Sequence, residues 1–413
     1  MINHQDRLNM EQKRILPFWK FLVFAFVLCV IAFVFENING RFWLNDFKVY
    51  YMAAKALLTG NQVYGLPFGE SSGFYKYSPF TLFFFFPYCL VPFEIARIIH
   101  FFVLAAVILC VVTIAYQIVN TYLFPKERLQ ENLLLSFAFI CVLIHFVKEL
   151  HLGNINVVLL LLLCLSLSLI LKTKHFLGGI LFGLVVLTKP FFLILLLPLV
   201  YRKKWKVLVG FLATIFIALL LPAVFFGFSK NIALHKEWIT TMFAHNAFYP
   251  GHQSIQCLLQ YYINPAVPNE IQYLIIVSGA LLFTLLFVYD RLFELKNGNT
   301  VQLQNADLIM EWFILIALLP NLVKTDSEHF MSTLPLIILI LRYLFKKKNI
   351  FLILILVVLI FLYGGNSTDL LGLKLSDLLF DMGMIGISNI VLIIFALVIY
   401  LRDIRKEISA HSS

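Results

Sequence analysis

The stretch from Asn45 to Tyr64 reads NDFKVYYMAAKALLTGNQVY, and FYKYSP follows at 74–79. It is the first long polar and aromatic interruption in a chain that is otherwise strongly apolar. Asp46 is the carboxylate of these two segments, and tyrosines and lysines accompany it. One apolar segment precedes the interruption and many follow it. We therefore expect this stretch to carry the chemistry of the protein, supported by the apolar segments.

The composition defines the class of protein around this stretch. Hydrophobic residues make up 61% of the 413 residues and charged residues only 13%, with 43 Phe. A soluble chain of this length is far more polar. Repeated apolar runs of membrane-spanning length predict an all-α, polytopic membrane protein surrounded by the lipid bilayer.

The net charge of +10 has two interpretations. A basic chain can bind nucleic acid, but here the basic residues cluster in short loops beside apolar runs. That pattern is typical of the cytoplasmic loops of membrane proteins, so we expect no nucleic-acid partner. The six Cys lie mostly in apolar segments and lack zinc-ligand or disulfide spacing, so we expect no metal site.

The predicted topology is a bundle of about twelve transmembrane helices with both ends in the cytoplasm. Residues 1–17 and 402–413 are predicted as cytoplasmic tails, and 18–401 as one membrane domain. Two long loops, 36–78 and 227–270, are predicted on the outer side, where they form the active-site face. A crossing is expected at 271–289, with a polar inner loop from 290 to 309 after it.

Two short apolar segments, 79–92 and 312–322, set the direction of the helices after them. We count each as a crossing, although both are shorter than a usual span and a re-entrant segment is the alternative. This count puts Lys189, within the apolar run 176–200, nearer the inner side. A charge in such a run is costly, so Lys189 is expected to be structural there, unless the helix breaks at Pro190 and the depth changes.

Asp46 has two interpretations. At helical spacing it shares a face with Tyr50, Ala53 and Leu57. Asn45 or Asp46 could simply cap a helix on the membrane surface. Alternatively, Asp46 is a general base that takes the proton from an attacking hydroxyl, with a pKa raised by burial beside aromatic side chains.

The motif Asp46-Phe47-x-Val49-Tyr50, with Ala53-Ala54, Gly60, Tyr64 and Tyr77-x-Pro79, resembles the first outer loop of the family 87 glycosyltransferases. Further motifs follow in the family's order as far as Pro335. They are Gly153-Asn154-Ile155-Asn156, Gly183 with Lys189-Pro190, Gly251-His252-Gln253-Ser254-Ile255, and Pro320 to His329. The chain departs from the family at Asn154, where Gln is usual, and at His252, where Asn is usual.

The resemblance implies a GT-C-type membrane enzyme that takes a sugar from a polyprenyl-phosphate carrier. The sugar is expected to be a hexose, mannose-like, and the acceptor a glycan or glycolipid hydroxyl on the outer face of a cell membrane. Asp46 matches the family's first-loop acidic residue, which implies that it is the base of an inverting displacement. The reaction needs no cofactor beyond the lipid-linked donor, and no phosphate loop or metal-ligand cluster is evident.

The remaining candidate site residues follow from the same motifs and from residue chemistry. The cations expected to bind the donor phosphate are His329, Lys324, Lys76 and Lys189. The side chains expected to contact sugar or acceptor are Tyr50, Tyr64, Tyr77, Asn156, His252, Gln253 and Ser254. The alternatives are structural: the tyrosines also fit an interfacial aromatic belt, and residues 252–254 also fit a turn.

Rival functions remain open at this level. A transporter or lipid-linked-sugar flippase would move substrate without forming a glycosidic bond. A membrane scaffold would be indifferent to the loss of Asp46, and a ligase would transfer a whole glycan. The chain shows no internal repeat, which argues mildly against a transporter built on inverted repeats.

Overall fold

The computed structural model describes residues 18–69, 73–124, 130–245, 253–263, 301–323, 325–364 and 367–412, and residues 268, 271, 274, 278 and 279. Within these ranges the regular structure is helical, and no strand is present. We number the α-helices α1 Trp19–Ile38, α2 Asn45–Leu58, α3 Phe93–Leu123, α4 Glu131–Leu152, α5 Asn156–Leu171, α6 His175–Thr188, α7 Leu196–Tyr201, α8 Trp205–Phe226, α9 Phe228–His245, α10 Ile255–Tyr262, α11 Val301–Leu322, α12 Leu334–Lys347, α13 Ile350–Gly364, α14 Thr368–Leu371, α15 Leu373–Asp381, α16 Met384–Ile399 and α17 Arg405–Ser412.

Seven helical segments in the described part of the chain are long and apolar enough to cross a membrane. They are Trp19–Ile38, Phe93–Leu123, Glu131–Leu152, Trp205–Phe226, Val301–Leu322, Ser327–Lys347 and Met384–Ala410. Shorter apolar helices lie at 156–171, 175–188, 190–201 and 350–364. The polytopic helical class is therefore confirmed, but the expected count of about twelve is not. The crossing expected at 271–289 lies outside the described residues, apart from isolated positions.

The segment 79–92 does not form the crossing that we expected. It folds as two short 3₁₀-helices, Pro79–Phe84 and Phe86–Leu90. Six residues of 3₁₀-helix span only about 12 Å, against roughly 30 Å for the bilayer interior. Pro79 and Pro87 lie at the starts of the two helices and interrupt the backbone ladder that one long helix would need. The helices α3 to α6 therefore run opposite to the predicted direction, and the chain returns to the predicted direction at α8, because 190–201 leads back to the other end of the bundle.

The helix directions in the structure bring polar residues that are distant in the sequence to one end of the bundle. Helices α5 and α6 form an antiparallel hairpin, in which Ser166 donates a hydrogen bond to the Gly178 carbonyl. Asn156, which begins α5, therefore lies at the same end as Thr188, which ends α6. We call this the Asp46 end, because the Asp46 side chain also lies there. The opposite end holds Arg202 and is called the Arg202 end.

The apolar run 176–200 is broken at Lys189, as the alternative interpretation of that run foresaw. Helix α6 ends at Thr188, and Lys189 is extended, with φ −133° and ψ 97°. A residue before proline is disfavoured in helical conformation, and Pro190 begins a 3₁₀-helix instead. Lys189 therefore lies at the same end as Asp46, whereas the predicted topology placed the two residues on opposite sides of the membrane. The residue sits at the Asp46 end because the helix breaks there and because 79–92 does not cross.

Glycines set the position of α6 against its neighbour α8. A Cβ at Gly179 would lie 2.0 Å from the Val207 carbonyl oxygen, and one at Gly183 would lie 2.7 Å from the Thr214 Cβ. Glycines four residues apart permit this backbone contact between helices. The close packing fixes α6, and hence the place where Lys189 leaves it.

Three other segments differ from the expectations in detail. The predicted outer loop 227–270 contains α9 and α10, and the predicted inner loop 290–309 is helical from Val301. The predicted C-terminal tail is helical through Ser412. Helix α9 has the polar composition of a loop, but Trp238 anchors it by donating to the Lys76 carbonyl at 3.0 Å.

Candidate functional site

Asp46 lies in the first turn of α2 and is half-buried. The N-cap residue of this helix is Leu44, which has a left-handed backbone with φ +46° and makes no side-chain capping hydrogen bond. Asn45 and Asp46 lie within the first turn of the helix, not at the N-cap position considered for them. A non-glycine residue in this region is strained, and strain of this kind clusters at functional sites.

The Asp46 carboxylate belongs to a network of neutral polar side chains. Asn154 donates from Nδ2 to Asp46 Oδ2 at 2.7 Å. The Asn154 Oδ1 accepts from Tyr50 at 3.0 Å and from Tyr77 at 3.4 Å, and the two tyrosine hydroxyls are 3.1 Å apart. Asn154 thus links the predicted base to two of the predicted sugar-contacting tyrosines.

Gly153 makes this contact possible. It ends α4 with φ +66°, and a Cβ there would lie 2.9 Å from the Phe47 Cβ and 3.0 Å from the Leu44 Cβ. Its carbonyl oxygen is 3.0 Å from His100 Nε2, and the His100 ring stacks on Phe47 with centroids 4.1 Å apart. Only glycine meets both demands, a left-handed backbone and close approach to α2.

A second group of side chains lies just beyond the same turn. Lys189 is buried, and its Nζ is 2.5 Å from Asn156 Oδ1 and 2.6 Å from His329 Nε2. The ammonium also lies 5.8 Å from the centre of the Tyr77 ring. Three predicted site residues, Lys189, Asn156 and His329, therefore meet, and Tyr77 connects them to the Asp46 network.

Electrostatics favour proton acceptance by Asp46 near neutral pH. Burial raises the pKa of Asp46 to about 7, the Glu328 carboxylate adds to the rise, and Lys76 opposes it. Burial lowers the pKa of Lys76, which the carboxylates of Asp46 and Asp326 oppose. Burial also raises the pKa of Tyr50 and Tyr77, so both remain neutral hydrogen-bonding groups.

An apolar cavity opens beside the Lys189 group. Asn156 and His329 lie in its wall, together with Thr325 and Ser332. The rest of the lining is apolar and comes from α5, the Pro190–Leu195 helix, α11 and the Ser327–Thr333 helix: Leu159, Leu160, Leu163, Phe191, Phe192, Ile316, Leu319, Pro320, Val323 and Met331. A polar group and an apolar chain could therefore be bound side by side here.

The other predicted site residues are Tyr64, Gln253, Ser254, Lys324 and His252. Tyr64 is buried and donates to the Tyr77 carbonyl at 2.8 Å, so it supports the loop that carries Tyr77. Gln253 is buried; its Nε2 donates to the Phe380 carbonyl at 2.9 Å, and its Oε1 accepts from the Gly386 backbone at 3.0 Å. Ser254 caps α10. Lys324 and His252 lie outside the described residues.

Sequence reasoning missed two participants, Glu149 and Asn154. Asn154 was seen only as a departure from the family motif, yet it is the hydrogen-bond partner of Asp46. Two neighbours of Glu149 at the end of α4 contact other segments: His151 lies 2.8 Å from Glu36, and Lys148 lies 3.5 Å from Glu328. The sequence feature that could have indicated Glu149 is its position four residues before Gly153, the glycine that ends α4.

Most of these site residues lie in a part of the chain that matches a known family. The model of glycosyltransferase family 87 matches residues 74–319, more than half of the 413 residues. No significant match was found among curated proteins or among solved structures. The matched range includes Tyr77, Asn154, Asn156 and Lys189, while Asp46 precedes it and His329 follows it. Because the match covers more than half of the chain, the chain belongs to glycosyltransferase family 87.

Proposed function

We propose that this glycosyltransferase moves a mannose-like hexose from a polyprenyl-phosphate carrier to a hydroxyl of a glycan or glycolipid acceptor, with inversion. One observation carries the proposal: a half-buried carboxylate and a buried lysine–histidine pair lie at the same end of the bundle, joined by the turn at 153–156. A base and a cationic group at one site are what displacement of a phosphate requires.

Asp46 is the proposed general base. The acceptor hydroxyl transfers its proton to the carboxylate as its oxygen forms a bond to the anomeric carbon. The bond from that carbon to the phosphate oxygen breaks, and the polyprenyl phosphate leaves with the electron pair. A base with a pKa near 7 combines a useful ionised fraction with a real affinity for the proton. Direct displacement inverts the anomeric centre, and no cofactor or metal is required.

Lys189 and His329 are the proposed phosphate contacts. Negative charge develops on the phosphate oxygens as they leave, and a buried cation stabilises it more strongly than an exposed one. Lys76 is half-buried near Asp46 and is proposed as an additional cation. Tyr50 and Tyr77 would then face the sugar, since they lie between Asp46 and Lys189.

The apolar cavity beside His329 is the proposed place for the first part of the polyprenyl chain. An isoprenoid is apolar throughout, and burial of apolar surface stabilises it by about 25 cal/mol per Å². A donor bound there has its phosphate next to Lys189 and its sugar toward Asp46. The geometry thus favours an amphiphilic donor over a water-soluble nucleotide sugar.

We propose that the Asp46 end faces the outer side of a cell membrane. Basic clusters lie at the Arg202 end, among them 202–206 and 346–348, and the positive-inside rule assigns that end to the cytoplasm. The start of α1 also lies there, since Phe21 N–H donates to Asn132 at the start of α4. Helix α17 lies there too, since Arg405 contacts Asp307, so both termini are assigned to the cytoplasm.

The test is sugar transfer by the purified protein in lipid, from a short-chain polyprenyl-phosphate mannose to a glycolipid acceptor. Asp46→Asn keeps an oxygen that can accept from Asn154 but cannot take a proton, so we expect a loss of about 10²- to 10⁴-fold in kcat. Asp377→Asn, the same change at an exposed carboxylate of α15, is the control and should transfer normally.

Other outcomes identify the rivals. Equal transfer by wild type and Asp46→Asn would remove Asp46 as the base. Movement of the lipid-linked sugar across vesicles without a new glycosidic bond would identify a flippase. Absence of both transfer and movement, over several sugars and acceptors, would contradict the proposed donor.

A further inference from the structure

Glu149 is a buried carboxylate whose contacts are unusual for a charged group. It lies in the last turn of α4, and its side chain is inaccessible to solvent. Its Oε2 accepts from Asn156 Nδ2 at 3.0 Å, and its Oε1 accepts from the Val157 backbone N–H at 2.9 Å. Both donors belong to the first turn of α5. The carboxylate therefore faces the N-terminus of α5, where the partial charge of the helix is positive.

The carboxylate decides which way the Asn156 amide points. A carboxylate only accepts hydrogen bonds, so the Asn156 NH₂ group must face Glu149. The Asn156 oxygen then points the opposite way, where it meets Lys189 Nζ at 2.5 Å. If the amide were turned over, its NH₂ group would face the lysine ammonium, and two donors would oppose each other.

The same constraint continues from Lys189 to His329. An ammonium only donates, so His329 Nε2, at 2.6 Å, must accept from it. The His329 ring then carries its proton on Nδ1, which lies 3.2 Å from the Asp326 carbonyl oxygen and 3.5 Å from Glu328 Oε1. Two of the three N–H bonds of the Lys189 ammonium therefore point to Asn156 and His329. Because the ammonium is tetrahedral, these two contacts also fix the direction of the third N–H bond.

We propose that Glu149 is a positioning residue: it fixes the Asn156 amide, which orients the Lys189 ammonium and thereby holds His329 with its proton on Nδ1. The inference rests on the proposed function in one respect, the assignment of Lys189 and His329 to the donor phosphate. Glu149 itself touches no reacting atom. Its effect is to hold two phosphate contacts in one arrangement before the donor binds.

An exchange of acid and amide tests this chain of contacts. In Glu149→Gln the new NH₂ group faces that of Asn156, and the amide must turn over to relieve the conflict. The double variant Glu149→Gln/Asn156→Asp places the amide on α4 and the carboxylate on α5. The new glutamine side chain accepts from the Val157 N–H and donates to the new aspartate, which in turn accepts from Lys189. The double variant therefore restores the orientation with the same total charge.

The matched control is Glu36→Gln. It makes the same change of acid to amide at a carboxylate near the same turn, which contacts His151 at 2.8 Å. Glu36 has no part in the contacts that lead from Glu149 to His329, so this variant should leave them as they are in wild type.

The kinetic result expected for Glu149→Gln is a rise in KM for the donor of about 10- to 100-fold, as for other residues that hold a ligand-binding group in place. The kcat should change less, because Asp46 is untouched. The double variant should return to within a few-fold of wild type, and Glu36→Gln should match wild type. An unchanged KM in folded Glu149→Gln, or no recovery in the folded double variant, would overturn the proposal.

A second readout does not depend on transfer. The ¹⁵N NMR spectrum of histidine-labelled protein in lipid reports which ring nitrogen carries the proton, and His329→Gln identifies the His329 signals. Wild type should show a protonated Nδ1 and an unprotonated, hydrogen-bonded Nε2. Glu149→Gln should shift both signals, and the double variant should restore them.

This readout separates the two proposals. A wild-type His329 protonated on Nε2 alone would overturn the role of Glu149, even if transfer follows the proposed function. A wild type without transfer but with the expected His329 spectra and their restoration would overturn the proposed function and leave the positioning role. If Glu149→Gln does not fold, the wild-type tautomer and the double variant still decide the matter.

Discussion

The charged groups at the two ends of the bundle differ in their contacts. At the Arg202 end, acids and bases contact each other: Arg202 pairs with Glu311, Arg405 lies 3.2 Å from Asp307, and Lys346 lies 2.7 Å from Glu407. At the Asp46 end, Lys148 and His151 also lie near carboxylates, but the hydrogen bonds of Asp46 and Lys189 go to neutral amides and an imidazole. Paired charges secure the fold, whereas the charges of Asp46 and Lys189, held by neutral partners, remain able to meet a charged substrate.

The strongest test of this contrast is Lys189→Gln. Removal of a buried charge contact to a leaving group should lower kcat/KM by about 10²- to 10³-fold. The folded yield and thermal unfolding should change little, because the partners of Lys189 are a neutral amide and an imidazole. Transfer assays and thermal unfolding of the same preparation measure both effects. A large loss of stability in Lys189→Gln without a loss of specific activity would mean that Lys189 serves the fold and not the reaction.

Arg202→Gln should behave in the opposite way. It removes the buried ion pair between Arg202 and Glu311, and breaking a buried pair typically costs about 3–5 kcal/mol of stability. The transition midpoint in detergent should fall clearly, while kcat per folded molecule should remain near that of wild type. A kcat loss comparable to that of Lys189→Gln, in protein of normal stability, would mean that the Arg202 end takes part in the reaction.

Gly153→Ala should affect both fold and activity, because this residue joins α4 to the Asp46 helix. An alanine in the left-handed region costs about 1–2 kcal/mol, and here its Cβ also meets Phe47 at 2.9 Å. Gly40→Ala is a matched control, with φ +65° and no atom within 4 Å of the added Cβ. We expect Gly40→Ala to lose stability only, and Gly153→Ala to lose transfer as well. Equal kcat values in the two folded variants would show that the contact does not position Asp46.

The smallest expected effect is on pH dependence. Since Asp46 must be ionised to act as a base and its pKa is raised to about 7, kcat/KM should rise with pH through about 7. Lys76 lowers that pKa, so Lys76→Gln should move the rise to higher pH. Lys55→Gln, at an exposed lysine of α2, should leave the profile unchanged. A shift to lower pH in Lys76→Gln would contradict Asp46 as the titrating group.

Much of the site is visible in the order of its motifs. The sequence alone indicates six of its members, since each is a polar residue in a family-like motif: Asp46, Tyr50, Tyr77, Asn156, Lys189 and His329. The predicted separation of Lys189 from Asp46 was wrong because it depended on treating 79–92 as a crossing. Apolar composition alone does not distinguish a spanning helix from two short 3₁₀-helices, and this error reversed the predicted direction of α3 to α6.

Gln253 shows a second limit of sequence motifs. Its motif predicted a contact to sugar, while in the structure its side chain forms hydrogen bonds with the backbone of Phe380 and Gly386. A Gln that satisfies backbone groups between distant helices has the same sequence appearance as one that binds a hydroxyl. Glu149 shows a similar limit: its partners on α5 are near in sequence, but its proposed effect on Lys189 depends on the orientation of the Asn156 side chain, which no sequence pattern encodes.

The amino-acid sequence is enough to define the class of molecule. Apolar runs determine a helical membrane protein, because backbone groups in a bilayer must be satisfied within each segment. The ordered motifs determine the family, and Pro190 determines a break after Lys189. Which residues meet depends instead on the packing of the helices. The approach of Asp46 to Asn154 and of Lys189 to His329 depends on helix direction and on backbone contact at Gly153 and Gly179, and both arise from packing between segments distant in the chain.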